Sequence, residues 1–258
     1  MFLADPPRTP YDLYFRLWGI PVRVHPLFWA VGLLISFAPG PPLEMFIRLG
    51  VWFVSILVHE MGHAWMMRYY GWNPSVTLYA MGGFARYDHG FTTQFSSYQR
   101  PGNREYAQII IAAAGPGAGF LLAGLSVVVA ELAGADIKFA VGRPSIVVWH
   151  ITGLEGNFLM MMHFTLFINI YWGLVNLLPV YPLDGGQISR ELFMRYVGND
   201  GLQKSLWLSV GVGAAMALFG FMHDYYFIGL IFGYLAFSSY QLLQTFSGGG
   251  FGGFGRNL

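Results

Sequence analysis

Apolar residues lie along the chain in long runs separated by short polar stretches, and run length predicts helices more often than strands. The first run, about Pro26 to Ala38, is bounded by Arg23 and Pro39. At about 1.5 Å per residue it covers about 20 Å of a hydrocarbon core roughly 30 Å thick, so it is either extended at its ends or re-entrant. Longer runs follow at about Met45 to Tyr70, Tyr106 to Leu132, Phe158 to Leu178, Lys204 to Met222 and Tyr225 to Leu243. Between the second and third, Val76 to Tyr87 is strand-like with Gly82-Gly83 at its centre, which predicts a hairpin turn there. Residues 88–105 are polar and predict an exposed loop. A mixed loop carries Asp136, Lys138, Arg143 and Glu155, and 187–203 predicts a polar, partly helical segment. The expected fold is an all-α polytopic membrane protein. It has about six transmembrane helices and a short re-entrant or membrane-associated β-hairpin after the second. The expected organisation is an amino-terminal tail over 1–19, a membrane-embedded domain over 20–246 and a flexible Gly/Phe-rich tail over 247–258.

Composition strengthens that picture. Of 258 residues, 55% are hydrophobic and only 10% charged, against about 25% charged in a soluble domain. The net charge of +1 gives no reason to expect nucleic acid as a partner. The chain has no cysteine, which excludes disulfides and thiolate ligands, so any metal site must use His and carboxylates. Met1 to Arg16 contains Asp5, Pro6, Pro7 and Pro10 and no apolar core, so no cleavable signal peptide is expected. With six spans, eleven of the fourteen basic residues fall on one side of the membrane. The positive-inside rule then makes both termini cytoplasmic, at the inner membrane if the source is bacterial. Spans two and four both run inward on that count.

The second run contains His59-Glu60-Met61-Gly62-His63. Residues four apart on a helix point the same way, so both imidazoles can reach one metal ion. Glu60, beside the first ligand, is placed to take a proton from water. Three ionisable residues in five are costly in lipid, so they point to a site more than to packing. A catalytic zinc needs a third protein ligand and an open position. Asp184 is the candidate. It follows a helix broken by Pro179 and Pro182 and is flanked by Gly185 and Gly186. Non-helical backbone at membrane depth requires burial in protein or a water-filled cavity. The competing reading is that Asp184 caps the polar helix after it. Asn176 and Asn169, seven apart, share a helix face. Two readings stand side by side for Asn176: an interhelical hydrogen bond, or donation to the oxyanion of a carbonyl under attack. His25, His89, His150, His163 and His223 lie at loop edges or toward the opposite face and are not expected to be ligands. Gly115 and Gly119 are expected to serve packing.

These motifs resemble the site-2 protease family of intramembrane zinc metallopeptidases. The resemblance rests on His59-Glu60-x-x-His63 and on Asn176-x-x-Pro179-x-x-Pro182-Leu183-Asp184-Gly185-Gly186, in the family's order. Weaker matches are Ala114-Gly115-Pro116, Arg23-Val24-His25-Pro26 and the Gly82-Gly83 hairpin. It covers roughly residues 20–245 and implies a compact form without PDZ or CBS domains. It also implies that the hairpin pairs with an unwound substrate strand. One departure stands out: many members read G-P-x-x-N on span three, where this chain has Gly119.

The resemblance implies a zinc-dependent intramembrane endopeptidase. Zn2+ would be held by His59, His63 and Asp184, with Glu60 moving the proton and Asn176 assisting. The partner would be a membrane-anchored protein substrate in the lipid bilayer. Two alternatives remain: a non-proteolytic zinc-binding scaffold, or a different zincin with a Glu third ligand, for which only Glu191 is a candidate. A transporter is disfavoured, because the ionisable residues cluster on one side.

Overall fold

The structure is a computed structural model, and it describes residues 6–80, 82–87, 106–140 and 148–248. The expected loop over 88–105, with His89, and the tail beyond Gly248 lie outside the described residues. The elements in order are β1 (Leu13–Leu17), β2 (Ile20–Val24), α1 (Pro26–Ser36), α2 (Pro42–Tyr69), β3 (Pro74–Tyr79), β4 (Gly82–Tyr87) and α3 (Ala107–Leu132). Then come β5 (Asp136–Ala140), β6 (Val148–Thr152), α4 (Gly156–Phe167), a π-helical segment (Ile168–Trp172) and α5 (Gly173–Asn176). The chain continues with α6 (Asp184–Tyr196), α7 (Gly201–Met222) and α8 (Tyr226–Gly248). Among the described residues, five helical stretches are long and apolar enough to cross a membrane: Pro42–Tyr69, Ala107–Leu132, Gly156–Asn176, Gly198–Met222 and Tyr226–Phe246. The chain is an integral membrane protein by these spans. The elements fall into two compact units, Met1–Gly102 with Ala114–Gly173, and Asn103–Ala113 with Leu174–Leu258.

In the first unit, β1 to β4 form one sheet in chain order. β1 pairs antiparallel with β2, β2 pairs parallel with β3, and β3 pairs antiparallel with β4. Strand alternation turns Ile20, Val22, Val24, Val76 and Leu78 inward, where they pack with Phe28, Trp52, Ile56 and Met61 of α1 and α2. Burying each such side chain is worth about 1.5–3 kcal/mol relative to water, so the inner face fixes the register. Residues 13–24, read as part of a polar, proline-bearing start, form a hairpin. One expectation is corrected here. The turn of the second hairpin is not Gly82-Gly83: Tyr79 pairs with Gly82, so both glycines lie in β4 after the turn, and Ala80 takes φ 42°. The loop after α3 likewise holds an unforeseen antiparallel hairpin, β5–β6, whose Ile137 and Ile151 pack with Ala123, Met162 and Leu166.

The sheet also determines the path of the first apolar run. α1 has 11 residues, about 16 Å, too short to cross alone. Because β2 and β3 are parallel neighbours, the start of α1 and the end of α2 leave from the same sheet. In any bilayer that α2 crosses, α1 and residues 37–41 together must carry the chain over. Arg48 donates to the Ser36 carbonyl at 3.3 Å, which ties the end of α1 to the flank of α2.

The second unit is built on α7 and α8. Gly201, Ser205, Ser209, Gly213, Ala217 and Gly220 are buried along α7. Small residues at this spacing let backbones approach closely: a Cβ at Gly213 would stand 3.1 Å from that of Ala236, and one at Gly220 would meet the Gly229 backbone.

Candidate metal centre

The buried residues of α2 include Trp52, Ser55, Ile56, His59, Glu60, His63 and Met67, a stripe at three- and four-residue spacing. Val54, Trp65 and Tyr69 are exposed, as lipid-facing and interfacial side chains are. Pro42 opens the helix, Glu44 and Arg48 pair one turn apart at 2.7 Å, and Arg68 sits in the last turn, where the helix dipole favours a cation. Helical spacing therefore puts all three polar groups of the pentad inside the protein. The His59 and His63 Nε2 atoms are 3.2 Å apart, and the rings are nearly perpendicular at 77°. Two nitrogens each about 2.0–2.1 Å from a tetrahedral zinc would be about 3.3 Å apart, so this pair has the spread of two zinc ligands.

Glycines make the room. A Cβ at Gly115 on α3 would collide with the imidazole of His63. Gly62 faces the Ala114 carbonyl and stands 2.8 Å, measured from its would-be Cβ, from the Ala118 methyl, which brings α2 against α3. A Cβ at Gly83 on β4 would lie 2.5 Å from Glu60 Cγ. Gly115 thus serves packing, as expected, but it packs the metal-ligand candidate itself. Gly83 has a role the sequence did not disclose. A glycine pair beside a strand reads as a turn, and only the sheet register shows that Gly83 backs onto Glu60. Gly119 lies 3.5 Å, again from its would-be Cβ, from the Asn169 side chain. Asn169 donates to Ser55 Oγ and to the Thr165 carbonyl, both at 2.9 Å. That is the interhelical amide role foreseen for this face, and Ser55 is one turn before His59.

Asp184 is buried and stands in the first turn of α6. The residue in the capping position is Leu183, so Asp184 stands one position inside the helix and is not its N-cap residue. The negative carboxylate is still favoured by the amino-terminal end of the helix. Gly185 and Gly186 have no room for a Cβ because the 177–183 turn folds back over them, with Tyr181 N 2.5 Å from the Gly186 position. Two serines hold that turn: Tyr181 N–H donates to Ser209 Oγ at 3.1 Å, and Ser239 Oγ donates to the Tyr181 carbonyl at 3.3 Å. The non-helical backbone is satisfied by hydroxyls from α7 and α8, as an apolar setting requires. Neither serine carries a sequence signal beyond being polar in an apolar run. Asn176 is buried at the end of α5.

His59 and His63 in the first unit, and Asp184 in the second, are each buried and each of a type that ligates metal ions. Two imidazoles and a carboxylate, without a thiolate, suit zinc and leave a fourth position open. Glu191 is half-buried, less enclosed than Asp184, which favours Asp184 over the Glu-ligand alternative. Of the other described histidines, His150 lies in β6 opposite Lys138 and three make local hydrogen bonds. His25 Nδ1 accepts the Leu27 N–H at the start of α1. The Nδ1 atoms of His163 and His223 bond carbonyls one turn back, Leu159 and Phe219.

The family model described as peptidase family M50 matches residues 48–220, a stretch that holds the pentad, Asn176 and Asp184. The chain belongs to peptidase family M50. Two curated relatives agree. Over 222 residues it is 26% identical to a candidate zinc metalloprotease of Synechocystis, covering 77% of this chain and 50% of that protein. Over 237 residues it is 25% identical to a zinc metalloprotease of Methanocaldococcus jannaschii, covering 90% of this chain and 56% of that one. The chain thus spans about half the length of the curated relatives it matches. Among solved structures, it shares the fold of the site-2 protease from Methanocaldococcus jannaschii, with a TM-score of 0.53 and 23% identity over 90% of this chain and 94% of that one. The site-2 protease fold expected from the motifs is therefore the fold observed. In this M50 chain, the zinc that the family implies meets a donor set that fits it.

Proposed function

We propose that the chain is a zinc-dependent intramembrane endopeptidase that hydrolyses a peptide bond within or next to a transmembrane segment of a membrane-anchored protein. The observation that carries this reading is the buried His59–Glu60–His63 face of α2, with two Nε2 atoms 3.2 Å apart and the glutamate between them in sequence. His59, His63 and Asp184 would hold the metal. Bound there, zinc would supply Lewis acidity toward a carbonyl and lower the pKa of a water toward neutrality. Glu60 accepts a proton from the attacking water and returns it to the leaving amine. The Gly83 backbone limits where the Glu60 side chain can swing. Asn176 donates its amide to the developing oxyanion. Burial of the three polar groups inside an apolar span excludes bulk water and fits a membrane-embedded substrate better than a soluble one. The charge distribution supports both termini on the cytoplasmic side.

The test is co-expression with a panel of single-span membrane proteins, comparing wild type with Glu60→Gln. The wild type should release a truncated fragment, while Glu60→Gln should keep its zinc, by metal analysis of the purified protein, and release none. A fragment produced equally by both would overturn the assignment of Glu60. Asp184→Ala should lower the zinc content, and an unchanged stoichiometry would remove Asp184 from the ligand set.

A further inference from the structure

The outer face of the β1–β4 sheet carries a separate concentration of charge. Since Val22, Val24, Val76 and Leu78 face the core, alternation turns Pro21, Arg23, Ser75 and Thr77 to the opposite face, where Ser75 is exposed and Thr77 is covered. The pairing sets Arg16 opposite Pro21 and Ser75 opposite Arg86. Parallel pairing of Val22 with Val76 brings Pro21 and Ser75 side by side. The result is a cross-strand row with arginines at both ends and small residues between them, about 14 Å long at about 4.8 Å per strand. This row forms part of the wall of a cavity of about 610 Å³, which Arg8 and Arg23 also line.

Among the described residues its charge is one-sided, because none of those that line the cavity is Asp or Glu. The nearby carboxylate, Asp12, is already committed to Arg23 Nε at 2.7 Å, and Arg23 also donates to the Pro6 and Pro7 carbonyls. Arg23 therefore fastens the segment that bears Arg8 and is itself occupied. No described ion pair involves Arg8 or Arg16, and the Arg86 guanidinium lies 4.6 Å from the Phe84 ring centroid.

We infer that this cavity binds the phosphate of an anionic phospholipid headgroup. Guanidinium groups match phosphate oxygens in paired, charge-assisted hydrogen bonds. The sheet adjoins the end of the α2 span, where a headgroup layer begins. Tyr11 and Trp18, beside and within the β1–β2 hairpin, are 83% and 63% exposed, as amphipathic rings at a lipid–water boundary are. By the charge count, this is also the leaflet side richest in basic residues, where anionic lipids concentrate them.

The detergent-purified full chain would be titrated with dioctanoyl phosphatidylglycerol, with dioctanoyl phosphatidylcholine and with inorganic phosphate, reading tryptophan fluorescence and thermal stabilisation. Phosphatidylglycerol should bind saturably and weaken with added salt. Phosphatidylcholine, and the Arg16→Gln/Arg86→Gln double variant, should bind roughly ten-fold more weakly or worse. Ser75→Glu alters an exposed floor residue without touching the sheet core, and should weaken binding equally if the double variant does not fold. Equal binding of the two lipids, or full affinity in Ser75→Glu, would overturn the site. Inorganic phosphate that displaces phosphatidylglycerol at equal concentration would show a soluble phosphate ligand and overturn the lipid source. An acidic peptide that competes as well as phosphatidylglycerol would assign the face to a protein partner instead.

Discussion

Gly115 and Gly83 set how closely neighbouring backbone approaches the pentad, and each makes a prediction that separates metal holding from proton transfer. Gly115→Ala puts a methyl into the His63 ring. It should lower zinc affinity by roughly 10–100-fold, the range typical of disturbed ligand support, read by competition with a chelator. Gly83→Ala instead presses on Glu60. It should leave the zinc content unchanged while cleavage falls by a comparable factor. Equal zinc loss in both variants would refute the distinction. Asp12 gives a pH prediction. Its side chain is fully enclosed; burial opposes ionisation, but hydrogen bonds from Thr9, Arg23 and Tyr14 outweigh it and hold the carboxyl well below the ordinary carboxylate range. A depressed folded-state pKa contributes stability that is complete above the unfolded value near about 3.9 and is lost as pH falls below it. Protection of β1–β2 amides from hydrogen exchange should therefore stay constant between neutral pH and about pH 5, after correction for intrinsic rates. It should decline only in stronger acid, and Asp12→Asn should lower it throughout.

At the level of elements, the break between α5 and α6 is where local sequence and tertiary support meet. Pro179 and Pro182 end the helix for local reasons, since neither has an N–H and the residue before each is pushed out of the helical region. What holds the turn comes from elsewhere in the chain: Ser209 on α7 and Ser239 on α8 satisfy Tyr181. Ser209→Ala and Ser239→Ala each leave a partly buried backbone group unpaired and should cost about 1–3 kcal/mol. Loss of zinc should accompany the loss of thermal stability if this turn positions Asp184. The π-helical segment is a comparable case. It begins at Ile168, and its Asn169 binds Ser55 across 114 residues; such segments often mark functional sites. The long helices were legible from run length within a few residues. The β1–β2 and β5–β6 hairpins were not, because five-residue strands among polar, proline-rich or mixed segments carry too little periodicity.

For the whole molecule, the shared sheet makes a topological prediction. If α1 with residues 37–41 carries the chain across and α2 returns it, then β1–β2 and β3–β4 lie on one side of the membrane and β5–β6 on the other. The chain contains no cysteine, so single cysteines at exposed Tyr11 and Lys138 provide clean probes. An impermeant maleimide applied to intact cells should label Lys138→Cys, and should reach Tyr11→Cys only after permeabilisation. Labelling of both from outside would contradict the path assigned to α1. By itself the sequence determined the membrane class, the long spans and the shared helix face of the pentad. Hydrophobic run length and i, i+4 spacing are local properties, complete within one helix. Only the tertiary structure decided that Gly83 backs onto Glu60, that Gly115 makes room for His63, and that serines far along the chain hold the turn before Asp184. The parallel pairing of β2 with β3, on which the predicted path of the first run rests, was decided in the same way. Each of these depends on a neighbour distant in sequence, and a one-dimensional pattern holds no record of which backbone will pack against a given side chain. The pentad was readable from five residues. The room it occupies was not.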